Sequence, residues 1–452
     1  MAGLESASDG PTGAGAGVVA EYPGAGSGNG TAAGHAAGTS ADGRRRNEIL
    51  DTASQLFASS GLRTSLQDIA DACGIQPGSL YHHFESKEAI VLELLQRYHA
   101  ELDRIGDVAL GQLPGLEPRL VPRQVVRLGR AIAQCAVRHS AAVQFTFYEP
   151  PAGASDELVR LASLAPVAVE SAMLETLRIG RSGDVIRPGV DLVMLTDRIV
   201  QTMLHVGLGL FQRYSAVHKV AGLLCEILLR GVAAVPPEDE ELDRSAALLA
   251  VEQVIRMWDD GGQDDEDSRT ALVRRVARSE FGRRGYEVTT IRDIASAAGL
   301  SIATAYRAIG SKEELLATIM ASFAQRIMAG WDAALGSDST AVEKLDALAW
   351  LQINILDKFY DEYRIQLSWL RQSPPDGLNP GWSFAAVVRL LKALLREGSR
   401  LGQIRIESPS AELTARCILE LSWTPEQIVR GQGKRAALIH ARDTVLRGVV
   451  TP

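Results

Sequence analysis

An all-α fold built from two tandem helical repeats is predicted by three observations. One block is written twice, SLQDIADACGIQPGSLYHHFESKE at residues 65–88 and TIRDIASAAGLSIATAYRAIGSKE at 290–313, 225 positions apart. From Arg44 onward apolar residues recur at helical spacing almost throughout, and no convincing run alternates as a strand would. The long helical continuations also match at their ends, LLRGVA at 228–233 against VLRGVV at 445–450, so each repeat runs to about 190 residues. Each repeat reads as a three-helix head containing a helix-turn-helix, followed by a larger helical body.

The elements follow in order. Residues 1–43 hold twelve glycines among much Ala and Ser and neither Lys nor Arg. That is the composition of a disordered tail, and it lacks the positive start and apolar stretch of a secretory signal. The first head spans 44–101 and opens on a helix with Ile49, Ala53, Leu56 and Phe57 on one face. Gly61 is placed to end it as a left-handed cap. Ser65-x-x-Asp68 then opens the second helix as a capping pattern. The first body, 102–235, contains helical stretches at Val121–Arg138, 192–213 and 217–231. Residues 236–268 start on Pro236-Pro237, carry two acidic runs around a helical stretch at 242–258, and read either as an acidic linker or as a helix packed on the core. The second head, 269–326, repeats the pattern with Val273, Ala277 and Phe281, the cap Gly285 and the pair Thr290-x-x-Asp293. Glu280 stands where the first head has Leu56, a charge beside the core. The second body is 327–452.

Composition sets limits on function. The net charge of −8 excludes a generally basic coat, so any nucleic-acid surface must be local. No apolar run reaches membrane-spanning length, so a soluble, cytoplasmic protein is expected. Cys73, Cys135, Cys225 and Cys417 lie far apart with no C-x-x-C pair, which suits reduced, buried thiols and offers no metal motif. There is no Gly-rich phosphate loop, H-E-x-x-H or G-x-S-x-G, so neither an enzyme nor a cofactor is expected.

A helix, a glycine turn, a short second helix and a capped third is how proteins place a helix in the major groove of DNA. In the first copy Pro77 takes the first helical position, where its missing N–H costs nothing. Gly78 and Ser79 then lie nearest the base edges. Tyr81, His82 and His83 can reach phosphates, and Lys87 adds charge at the start of the next helix. Alternatively Tyr81 and Phe84 hold the three helices together, and for Phe84 that reading is preferred. The second copy presents an apolar front, Ile302 and Ala303, able to touch a thymine methyl but not to donate a hydrogen bond. Ala308 replaces the second histidine, and Ile309-Gly310 replaces Phe84-Glu85. Yet the second head is the more basic, with ten Lys/Arg against five Asp/Glu, where the first has six against eight.

The Ile-Ala helix, the Ala-x-Gly-Ile/Leu turn, Tyr-x-x-Phe and Ser-Lys-Glu together resemble the TetR/AcrR family of transcriptional regulators. The resemblance covers both repeats but is specific only in the heads. It implies TetR-like repeats in which three helices bind double-stranded DNA and the rest form a ligand-binding and dimerisation domain. It also implies a repressor released by a small apolar effector. Carried over by position, DNA contacts fall on Thr64, Pro77, Gly78, Ser79, Tyr81, His82, His83 and Lys87, and on Thr289, Ile302, Ala303, Thr304, Tyr306, Arg307 and Lys312.

Family members pair two identical chains, whereas this chain carries both heads. The expected assembly is a monomer imitating a dimer, with 192–231 and 411–448 packing as an internal interface and an operator that need not be palindromic. An alternative is an interaction protein whose second head is only a structural partner. For the ligand pocket the aromatic stretches Phe145, Phe147, Tyr148 and Phe359, Tyr360, Tyr363, Trp369 are the candidates, although aromatics at helical spacing are more often core.

Overall fold

A computed structural model of the chain describes residues 41–60, 64–146, 149–150, 153–208, 217–260, 269–372, 384–405, 410–422 and 425–451. Both repeats lie within one unit, residues 45–452. The first head is α1 (Ala41–Ser60), α2 (Leu66–Ala72) and α3 (Pro77–His83). Its body is α4 (Lys87–Gly111), α5 (Val121–Arg138), α6 (Ser140–Phe145), α7 (Asp156–Ala162), α8 (Val167–Ser182), α9 (Leu192–His205) and α10 (Val217–Arg230). Between the repeats stand α11 (Asp239–Asp243) and α12 (Ala246–Asp260). The second head is α13 (Arg269–Arg284), α14 (Ile291–Ala297) and α15 (Ile302–Ile309). Its body is α16 (Lys312–Gly336), α17 (Ala341–Lys358), α18 (Tyr360–Gln372), α19 (Phe384–Arg400), α20 (Ala411–Leu421), α21 (Glu426–Gln432) and α22 (Lys434–Ala441), the last running into a π-helical turn at Arg442–Leu446. Among the described residues there is no β-strand, only the single bridges Ile186–Val450 and Ala233–Ile404.

Local sequence accounts for the head helices. Ser65 and Asp68 form a reciprocal capping box on α2, and Thr290 and Asp293 form the same box on α14. Each satisfies two N–H groups that a helix start leaves without partners. Pro77 sits at the start of α3. Gly285 ends α13 at φ +95°, while Gly61 lies outside the described residues. Ile49, Ala53 and Phe57 are buried along α1, as are Val273, Ala277 and Phe281 along α13. Glu280 is buried too, but Arg283 and Arg284 reach its two carboxylate oxygens at 2.7 and 3.1 Å, so the charge does not stand alone.

The matching end segments of the repeats meet each other. The Val232 and Ala233 amides donate to the Val445 and Leu446 carbonyls, and the Val449 and Val450 amides donate back to the Leu229 carbonyl. The bridges cross over in the same way. Arg187 N–H donates to the Val449 carbonyl, and Arg405 N–H donates to the Val232 carbonyl, 2.9 and 2.8 Å. At the centre Gly231 and Gly448 take φ of +72° and +75°. A Cβ at Gly231 would stand 2.4 Å from the Leu446 oxygen, and one at Gly448 2.2 Å from the Arg230 carbonyl carbon. Two main chains can approach this closely only where neither carries a side chain. Helix α10 also packs on α20 and on the π-helical turn.

Of the two readings for 236–268, packing on the core describes α12. Ala247, Leu248, Val251 and Trp258 are buried where α12 lies on α16 and α17. The preceding acidic residues have specific partners. Arg442, wholly buried, donates to both oxygens of Asp346 and to Asp243, each at 2.8 Å. Burial works against its charge, but Asp346 and Asp243 overcome that and push its pKa up. Asp243 in turn is held down to about 2, first by Arg435 and then by Arg442. Arg447 reaches Asp239 and the Pro237 carbonyl. This network clasps α11 onto the end of the second repeat.

Candidate nucleic-acid interface

Helices α3 and α15 each bury a single residue, Leu80 and Ala305. The rest of each helix is turned outward or lies at the rim. On α3, Gly78, Ser79, Tyr81 and His82 are exposed, Tyr81 at 55 %, with Pro77 and His83 half-buried. On α15, Ile302, Ala303, Tyr306 and Arg307 are exposed, Tyr306 at 50 %. Thr304 is half-buried, its N–H donating to the Ser301 hydroxyl that caps the helix. Arg307 folds back along its own helix toward the Ala303 carbonyl at 3.3 Å and the Thr304 hydroxyl at 3.5 Å.

The two helices end differently. Phe84 is buried at the end of α3, with the Arg46 guanidinium 3.9 Å from its ring centre, and Arg46 also donates to the His83 carbonyl and to Glu93. In the second copy Ile309 adds one residue to the helix, and Gly310 turns the chain at φ +71°. Ser86 and Ser311 then cap α4 and α16.

Two of the expected contact residues turn inward. Thr64 and Thr289 are buried, at 2 and 0 % exposure, so their side chains do not face outward. Their hydroxyls donate to the Leu56 and Glu280 carbonyls at 3.3 Å in both copies, and Thr289 also to Gly285. They close the heads internally. The lysines are intermediate cases. Lys87 is half-buried with its ammonium 5.7 Å from the Phe57 ring centre, and burial lowers its pKa against the upward pull of Asp68. Lys312 lies 4.1 Å from the Tyr286 ring centre.

Sequence reasoning left out two outward arginines. Arg275 and Arg292 are exposed on α13 and α14, where the first head has the exposed Asp51 and Gln67. The charge count contained them, and aligning the copies residue by residue would have found them. Part of that count is used internally, because Arg283 pairs with Glu280 and with Glu149 of the first repeat, and Arg278 with Glu362.

The described aromatic residues pack against neighbouring rings and side chains. Phe145 packs edge-on against Phe57 at 5.2 Å, which joins head to body. Phe359 is buried between Trp258 and Phe323, with ring centres 5.1 and 6.0 Å away. Tyr363 is half-buried against the core, and Tyr360 has Arg364 and Arg430 beside its ring. Phe147, Tyr148 and the Trp369 side chain lie outside the described residues. A cavity of about 30 Å³ opens among Trp331, Leu345, Asp346, Leu391, Leu421 and Arg442. As it stands, it has room for one or two waters.

Two outward helices, each set in a three-helix head and each followed by a helical body, define a tandem helix-turn-helix protein. The family model described as bacterial regulatory proteins, tetR family, matches twice, at residues 49–94 and 273–319. The chain thus carries two tandem copies of a segment matching the tetR-family N-terminal domain. It is similar to the HTH-type transcriptional repressor KstR2 of Rhodococcus jostii, 55 % identical over 65 residues, 14 % of this chain and 32 % of that protein. The repressor of the same name from Mycobacterium tuberculosis is 56 % identical over 55 residues, 12 % and 28 % of the two chains. The match thus spans about a third of these relatives' length. The solved structure of the ketosteroid transcriptional regulator KstR2 of Mycobacterium tuberculosis is similar at 28 % identity and a TM-score of 0.30, over 39 % of this chain and 89 % of that one. No helix among the described residues is long and apolar enough to cross a membrane.

Proposed function

We propose that this chain is a DNA-binding transcriptional repressor in which one polypeptide lays two unlike heads on a single duplex. The observation that carries the reading is the pair of recognition helices, each with one buried anchor and a row of exposed side chains. Ser79 and the α3 N-terminus read bases in one major groove, with Tyr81 and His82 on the flanking phosphates. In the next groove, Ile302 and Ala303 meet thymine methyls, while Tyr306, Arg307, Arg275 and Arg292 supply phosphate contacts and charge. Two heads on one face of B-DNA need a separation of about 34–36 Å, which family members obtain by pairing chains. Here the hydrogen-bonded seam between the end segments supports an internal pseudo-dimer on a non-palindromic operator. A cytoplasmic address and release by a small apolar molecule that opens the second body belong to the same proposal.

The test is fluorescence anisotropy with DNA from around the protein's own gene, together with sedimentation of the complex. One chain per duplex is expected, with affinity lost in Tyr81→Ala and separately in Arg307→Glu. Two chains on one pair of half-sites would overturn the internal pseudo-dimer. An Arg307→Glu variant that binds like wild type would reduce the second head to a structural partner.

A further inference from the structure

We propose that Glu101, Cys135 and His139 form a binding site for a divalent transition ion of the zinc type, joining the helix that leaves the first head to the first body. Cys135 and His139 are four residues apart at the end of α5 and so share one face a single turn apart. Glu101 reaches them from α4. One ligand atom from each, the thiol sulfur, an imidazole nitrogen and a carboxylate oxygen, lies within 4.8 Å of the other two. His139 Nε2 and Glu101 Oε2 are already 3.0 Å apart. A four-coordinate zinc ion with one sulfur and two lighter ligands sets them roughly 3.3–3.7 Å apart, so little movement is required.

The donor set selects the ion. A thiolate with an imidazole and a carboxylate suits zinc or cobalt, whereas magnesium and calcium favour all-oxygen shells. Three protein ligands leave a fourth position for water. Arg138, itself exposed, holds the other Glu101 oxygen and leaves Oε2 to the metal. Tyr98 lies beside the His139 ring, their centres 6.1 Å apart. Cys135 is wholly buried, but the Glu101 and His139 side chains keep 18 and 16 % exposure, which gives an ion its way in.

The second repeat shows that the fold does not need this polar trio. At the equivalent positions it has Arg326, Ile355 and Phe359, with Phe323 in place of Tyr98. There the ring pair is Phe323–Phe359 at 6.0 Å, and the Arg326 guanidinium lies 5.2 Å from the Phe359 ring centre. The same corner is closed by packing in one copy and by three metal-ligating groups in the other. On binding, the Cys135 thiol gives its proton to solvent, the metal takes the sulfur, nitrogen and oxygen lone pairs, and no oxidation state changes.

The test uses the full chain, freed of metal with a chelator, and cobalt(II) as the probe. One cobalt per chain is expected, with the thiolate-to-cobalt charge-transfer band and the visible bands of a four-coordinate ion, all displaced by zinc. Zinc should also raise the Tm of wild type. Cys135→Ser should abolish the charge-transfer band, and His139→Phe, which borrows the residue of the second repeat, should weaken cobalt at least about tenfold. Cys73→Ser should retain the full signal. Circular dichroism of each variant establishes that it is folded, and Glu101→Gln replaces any that is not. Absence of the charge-transfer band in wild type, or its survival in Cys135→Ser, overturns the site.

Discussion

The first head meets its body through an apolar edge, Phe57 against Phe145, and its anchoring arginine, Arg46, stays inside the head and its continuing helix. The second head is held by charge. Arg278 reaches the buried Glu362 on α18, and Arg283 reaches Glu149 of the other repeat. Yet the capping boxes, the buried threonines and the seam glycines are matched position by position. At these positions the copies agree, because a positive φ or an amide partner admits few solutions. Where side chains face a body or the outside, many solutions serve and the copies have separated. The outward residues are therefore the place to look for unequal roles of the two heads in the proposed DNA binding.

The largest expected effect tests the matched part. Gly448→Ala and Gly231→Ala should each cost about 3 kcal/mol or more, since each adds a side chain at positive φ against main-chain atoms. Thermal unfolding should show similar losses for the two. Gly78→Ala is the contrast, because nothing lies within 4 Å of its added Cβ and α3 should be as stable or slightly more so. A seam variant as stable as Gly78→Ala would mean that the end segments do not hold the repeats together.

Next is a feature without a matching pair. Cys225 occupies the position of Arg442 in the first repeat, so the buried Arg442 and its bonds to Asp346 and Asp243 have no counterpart at that position of the first repeat. Asp346→Asn should cost about 2–3 kcal/mol, less than a fully orphaned buried charge because Asp243 remains. Chemical denaturation measures it, and a loss under about 0.5 kcal/mol, the range of a neutral surface change, would remove the network from any account of stability.

A pH experiment sharpens the same contrast. His440 is buried, with its pKa lowered to about 3, first by burial and then by Arg198 nearby. Its folded value lies below the ordinary 6.5, so the unfolded chain takes up the proton first. Stability is full above about pH 6.5 and falls as pH drops toward 3. Between pH 7.5 and 5.5 the loss from this group is at most about 1.4 kcal/mol. His99, also lowered by burial, adds to the same trend. His440→Leu, copying Leu223 of the first repeat, should therefore flatten the Tm–pH curve but not level it. An unchanged slope would contradict a neutral buried imidazole.

Legibility in the sequence follows the range of the interaction. Capping boxes, Pro77 and the helix faces join residues within a few positions, and the sequence spelled them out. LLRGVA and VLRGVV were readable as a repeat within stretches expected to pack on each other, but which amides meet which carbonyls depends on a partner more than 200 residues away. Thr64 and Thr289 sit at an expected contact position, yet a hydroxyl carries no mark of whether it turns toward DNA or back to a helix carbonyl. The burial of Phe359 was hidden for a related reason. Its packing partner Trp258 comes from the stretch that composition presented as a linker.

The smallest expected effect is the most selective test of how the copies came to differ. Glu280 and Leu56 occupy the same place on the first helix of each head, so the residues can be exchanged in either direction. Glu280→Leu removes a buried carboxylate whose two arginines are 31 and 44 % exposed and can turn to water, and Arg283 keeps Glu149. Leucine gains apolar burial that offsets the lost ion pairs, so stability should stay within about 1 kcal/mol of wild type. Leu56→Glu has no such compensation. The residues matching Arg283 and Arg284 are Ser59 and Ser60, which offer no positive charge, so the carboxylate enters a half-buried position unpaired at a cost of about 1–3 kcal/mol. Denaturant titration of the two variants compares them directly. Equal losses would show that the ion pairs around Glu280 outweigh the apolar burial a leucine gains there, so that the charge is a stabilising feature of the second head and not a tolerated one.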